Sequence, residues 1–156
     1  MKESTARMLV LTAFTLVISL SPLSSKGWCA NANWQFVDEN DDSSFYYDTN
    51  SATKPNDQLI QVTVRVVYTD KGKANALTFL KPAKTFANLH ESRYLYDFNC
   101  TAETSKLMEV THLDDKGKEL KKSDLSADTD WEDILPNTRI GLVSDAVCPA
   151  PEQGGN

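Results

Sequence analysis

The chain is poor in the residues that chemistry usually needs. Among its 156 residues are two histidines and three cysteines. His90 and His112 stand in no metal-ligand spacing, and no G-x-S-x-G nucleophile turn accompanies them, so both read as surface or packed histidines. No C-x-x-C pair is present to depress a thiol pKa. Basic residues are also in the minority, with 16 Lys and Arg against 22 Asp and Glu for a net charge of −6. That balance argues against a nucleic-acid binder, which carries a basic face. Long apolar runs are missing everywhere except near the start, and none after it approaches membrane length. What is present is a core: three Trp, five Tyr and six Phe, with 24% charged residues, is too apolar for wholesale disorder and fits one ordinary domain.

The early run MLVLTAFTLVISL, Met8 to Leu20, carries no charge and follows Lys2 and Arg7. It has the length of a signal-peptide apolar region and is short for a spanning helix. Ala30-Asn31-Ala32 supplies small residues for cleavage before Asn33, so 1–32 is expected to be an export leader. Lys26-Gly27-Trp28 places a cation and an indole where lipoprotein processing needs aliphatic and small residues, so Cys29 is expected to leave with the leader rather than be lipidated. Removing 1–32 takes away Lys2, Arg7, Lys26 and Glu3, so 13 bases and 21 acids leave a net charge of −8. This favours solubility and argues against adsorption to anionic lipid.

Cys100 and Cys148 then remain. An even count in an exported chain predicts one structural disulfide, because that compartment is oxidising; a redox pair or two metal ligands are the alternatives. The domain is expected over 33–148, with a disordered tail at 149–156.

Trp34 to Asp38 and Phe45 to Asp48 read as a hairpin around the polar run at 39–44. Leu59 to Asp70 is the clearest strand, with Ile60, Val62, Val64, Val66 and Tyr68 on one face and Gln61, Thr63, Arg65 and Thr69 on the other. Tyr94 to Cys100 is a fourth, Lys106 to Asp114 a fifth, and the Asp114–Lys118 turn leads to a short sixth at Glu119 to Lys122. After Pro136 the period changes. Asn137 or Thr138 can cap a helix with Ile140, Val143, Ala146 and Val147 on one side, and Pro149 and Pro151 stop it near Cys148. The fold class expected is α+β: a single antiparallel sheet of about six strands, with a C-terminal helix pinned to it by the disulfide.

Asp38 to Asp42 imitates the start of a calcium loop but has Ser43 where such a loop needs glycine and Thr49 where it needs glutamate, so it reads as a solvated turn. No metal or cofactor is expected. The stretch Lys71 to Glu91 is long for a connection. It interleaves Phe79 and Phe86 with Lys71, Lys73, Lys81 and Lys84. Two readings stand: one or two short helices, broken at Pro82 and packed on the sheet edge, or a partner-binding loop with Phe79 or Phe86 as anchor.

Trp34, Tyr46-Tyr47-Asp48, the strand Ile60 to Tyr68, the Tyr-x-Tyr-Asp-Phe-x-Cys run from Tyr94 to Cys100, Trp131-x-x-Ile134-x-Pro136 and the helix ending in Cys148 occur in an order that resembles the surface-adhesin protein E family of Gram-negative bacteria. The resemblance implies a six-stranded antiparallel sheet with a disulfide-fastened C-terminal helix. For the founding member it also implies an outer-membrane lipoprotein that binds host matrix proteins and can dimerise. The function expected is therefore a non-enzymatic exported binding module. It would pair with a host matrix or envelope protein through a sheet edge or the 71–91 segment, or serve as a periplasmic envelope accessory without an adhesive role.

Overall fold

Residues 32–149 are described by a computed structural model. The expected leader up to Asn31, with Cys29, and the tail from Ala150 onward lie outside the described residues. Among the described residues eight strands form the sheet: β1 Trp34–Glu39, β2 Ser43–Asp48, β3 Thr53–Asn56, β4 Leu59–Tyr68, β5 Glu91–Asn99, β6 Thr104–Leu113, β7 Glu119–Asp124 and β8 Glu132–Asp133. Two helices, α1 Asp70–Phe79 and α2 Arg139–Val147, and a 3-10 turn at Ala83–Phe86 complete the order. All pairing is antiparallel along β1-β2-β4-β5-β6-β7, with β3 added to β4 and β8 to β6.

The six expected strands are all there, and β3 and β8 are the two that were not expected. Both are too irregular to show a period. β3 is wholly exposed and contains Pro55, which an edge strand tolerates, and β8 is two residues long. They have a common reason to exist. β2 pairs with β4 from Val64 to Tyr68, leaving the start of β4 for β3, which meets it at Leu59 and Gln61. Likewise β7 takes the end of β6 and β8 takes Thr104 and Ser105. β5 also begins earlier than expected, at Glu91, because Glu91-Ser92-Arg93 shows no apolar alternation.

Register places Val62 opposite Tyr96, Ile60 opposite Phe98, and Val64 between Tyr47 and Tyr94, so these side chains share one face. Phe45, Ile60, Val62, Val64 and Phe98 form the core there, and Val143 of α2 closes it. Thr138 caps α2, its Oγ1 accepting from Gly141 N at 3.0 Å, and Thr69 caps α1 in the same way through Gly72 N at 3.1 Å. In each case glycine occupies the third helical position because the chain passes close by. A Cβ on Gly141 would lie 2.5 Å from the Leu135 carbonyl oxygen, and one on Gly72 would strike that of Asp42.

α2 is held at both ends. Arg139 donates from Nε to Asp38 at 2.9 Å and from its two terminal nitrogens to Ser43 Oγ and the Ser43 carbonyl, with its guanidinium over Phe45. At the far end Cys148, the C-cap residue, is bonded to Cys100 just past β5, across a Cα–Cα distance of 5.5 Å. The bridge closes a sequence separation of 48 residues, for which chain-entropy reasoning gives about 4 kcal/mol of stabilisation. Replacing both cysteines, Cys100→Ala with Cys148→Ala, is therefore expected to lower the unfolding free energy by about 3–4 kcal/mol. Urea titration would show it as a fall in midpoint.

Candidate functional site

The segment 71–91 is structured and divides its residues unevenly. Thr69 anchors the start of α1 to the β1–β2 turn, donating to the Asp41 carbonyl at 2.8 Å and, from its backbone N–H, to that of Asp42 at 2.9 Å. Lys71 is committed to the same turn, 3.2 Å from Asp41 and 3.5 Å from Asp42. Lys73 borders a cavity of about 230 Å³ with Asp70, Asn88 and Asp115. Phe86 is not presented as an anchor. It is 1% exposed, its ring meeting the edge of His112 at 5.0 Å, because the 3-10 turn folds it back onto the sheet. Phe79, at the end of α1, is 85% exposed. Lys81 and Lys84 are exposed beyond it. Of the six residues singled out in the sequence, the structure thus brings Phe79, Lys81 and Lys84 to the surface as one short stretch.

The face of the sheet opposite α2 holds a cluster that the sequence did not reveal. Glu91, 3% exposed, pairs with Arg65 at 2.5 Å and with Arg93 at 2.7 Å. Both guanidinium carbons lie 5.4 Å from the Trp34 ring centroid, and Arg65 also sits over Tyr46. Phe36 meets Tyr46 edge-on at 5.6 Å and is 49% exposed. A buried carboxylate is tolerated here because two cations neutralise it, and the aromatic faces shield those cations in turn. Alternation did place Arg65 on the polar face. Register, which no single strand encodes, is what sets it opposite Arg93. Chemically this surface can offer aromatic and aliphatic contact with a cationic floor.

On the helix-covered face, polar groups run in a chain. Tyr68 donates to Ser92 Oγ at 3.0 Å and lies 3.3 Å from the Tyr94 hydroxyl, while Ser92 Oγ is 2.7 Å from His112 Nδ1. Burial pushes the Tyr94 phenol up and the His112 imidazole down, with Lys121 adding to the latter. Ser92 Oγ and His112 Nδ1 share a hydrogen bond whose direction is set by the imidazole tautomer. Ser92 is fully buried beneath this packing, which makes the pair a structural link rather than an accessible dyad. A cavity of about 470 Å³ lies beside the disulfide, bordered by Cys100, Glu103, Ile134, Gly141, Asp145 and Cys148.

An antiparallel sheet covered on one face by a disulfide-pinned terminal helix, with the other face carrying aromatic and arginine side chains, defines a small α+β module. The family model for surface-adhesin protein E matches residues 34–149, and the chain belongs to that family. Among solved structures it is similar to two of Haemophilus influenzae protein E, at 13% and 15% identity. These alignments cover 72% of this chain and 87% and 91% of theirs, each with a TM-score of 0.49. No curated protein matches.

Two consequences can be measured. Because folded His112 resists a proton that the unfolded chain accepts near its ordinary value of 6.5, its contribution to stability is full above that pH and is lost as pH falls through its lower folded value. Unfolding free energy measured between neutral and mildly acid pH should fall with acidification, and His112→Phe should flatten that slope. Removing the carboxylate with Glu91→Ala should cost about 3 kcal/mol, since it leaves two poorly hydrated guanidinium groups together. Thermal melts beside the wild type would show the loss.

Proposed function

We propose that the protein is an exported, non-enzymatic binding module that takes a protein partner along the free edge of β1. Membership of the surface-adhesin protein E family supports a binding role. The observation that carries the choice of edge is Phe36, half exposed on a strand that pairs only with β2 among the described residues. An edge strand offers unpaired N–H and C=O groups, and a neighbouring aromatic adds contact area to a strand that joins it. A register shift between Phe36 and Asp38 divides β1, and the half before it carries Trp34, which stands over Arg65 and Arg93 of the Arg65–Glu91–Arg93 cluster. At the other end of the strand order, β7 carries Lys121 and Lys122, the residues by which edges discourage such pairing.

The 71–91 segment, the second partner surface that the sequence offers, keeps Phe79, Lys81 and Lys84 exposed together, which is too small a patch to form a stable protein interface alone. A second copy of the chain is a rival occupant of the β1 edge. The periplasmic alternative has its own support in Lys26-Gly27-Trp28, which does not suit lipidation of Cys29. Fractionation separates it from surface display: protease added to intact cells would cut a displayed protein and spare a periplasmic one.

The partner surface is tested by affinity capture from envelope and host-matrix proteins using the oxidised protein. Phe36→Lys puts a charge beside the edge and is expected to reduce capture about tenfold or more, as loss of a central aromatic contact does. Sedimentation should show the same molecular mass for wild type and variant. Undiminished capture by Phe36→Lys would move the site away from β1, and a fall in mass would assign the edge to self-association.

A further inference from the structure

Residues 71–90 contain four lysines and no aspartate or glutamate, in a chain that is acidic overall. The fold sorts these lysines by position. Lys71 is paired at the base of α1, and Lys73 lies near Asp70 and Asp115. At a rise of about 1.5 Å per residue, α1 carries Phe79 roughly 13 Å from Asp70. There Phe79 projects at 85% exposure, followed by the exposed Lys81 and Lys84, which have no ion pair among the described residues. Leu80, within this stretch, is half-buried, and after it Phe86 and Leu89 are buried, so the chain returns to the sheet beyond an exposed tip.

We propose that this tip, Phe79 with Lys81 and Lys84, docks the protein on an anionic lipid bilayer, with the phenyl ring entering the interface and the two ammonium groups meeting phosphate headgroups. One convex aromatic with two lysines is too small for a stable protein interface, which buries roughly 1,200 Å² or more around a packed centre. A fluid interface needs no matching pocket and rewards this combination of an apolar ring with adjacent cations. The net negative charge of the chain works against adsorption as a whole, so the docking must be local to the tip. Screening at physiological salt acts over about 8 Å, less than the length of α1 that separates Phe79 from Asp70. The site is separate from the β1 edge, so a docked module keeps that edge open.

The test uses protein purified after export. Its partition is measured onto vesicles of phosphatidylethanolamine with phosphatidylglycerol, and onto vesicles of phosphatidylcholine alone. Wild type should prefer the anionic vesicles at low salt and release at high salt. Phe79→Ala is expected to weaken partition about tenfold or more. The double variant Lys81→Glu with Lys84→Glu should abolish the preference for anionic lipid. Both changes lie at exposed positions, and unchanged circular dichroism would show the fold intact. Phe79→Trp supplies a direct reading, since brominated lipid should quench its added fluorescence beyond the quenching seen in wild type. Equal partition of wild type and both variants, no preference for anionic lipid, or an added tryptophan that bromine does not quench would each overturn the proposal. Loss of partner capture by Phe79→Ala without any vesicle binding would overturn it too, and would return the tip to a protein partner.

Discussion

Attachment of α2 at both of its ends is what the rest of the molecule depends on. A nine-residue helix is too short to be stable alone in water and forms here because its apolar side has somewhere to go. Arg139 ties its first turn to Asp38 and Ser43, and the disulfide ties its last residue to the end of β5. Between those points Val143 reaches the centre of a core built on β2, β4 and β5. The pull of the Arg139 guanidinium also holds the Asp38 carboxyl below its usual range, so this attachment is electrostatic as well as steric. With one face of a single sheet closed in this way, the other face and its β1 edge are left for contacts of a different kind.

That other face shows how a sheet can be shielded by side chains where no helix lies over it. Glu91 is buried between two arginines, and Trp34 covers both guanidinium groups. Three different strands, β1, β4 and β5, contribute to the cluster, so it reports on correct register across the sheet. Slippage of any one strand by a single residue would turn its contribution to the opposite face. The arrangement joins stability and recognition, because the aromatic groups that shield the arginines are also the ones nearest the free edge.

Much of the fold was legible because period two is hard to mistake where residues are β-branched. Ile60 to Tyr68 declared both its faces, and Tyr94, Tyr96, Phe98 and Cys100 declared theirs. The disulfide followed from the two cysteines that remain when 1–32 is read as a leader, and the end of α2 from Pro149. The illegible parts have physical reasons. β3 and β8 exist because β4 and β6 have vacant half-edges, a fact of the assembled sheet rather than of Thr53–Asn56 or Glu132–Asp133. The start of β5 was hidden by Glu91 and Arg93, whose charges are satisfied only by a neighbour far away in the chain. In 71–91 the composition pointed to an unusual segment, yet it could not separate Phe79 from Phe86. Both are aromatic residues among lysines, and only the turn after Pro82 decides which of them faces inward.

Hydrogen exchange of the oxidised and the reduced protein tests the central dependence most directly. If the bridge is what keeps α2 seated, reduction should strip protection from the amides of 139–147 and weaken it at Val62 and Phe98 beneath. Amides of 70–79, anchored through Thr69 and Gly72, should change little. Equal protection of 139–147 with both thiols free would contradict the account.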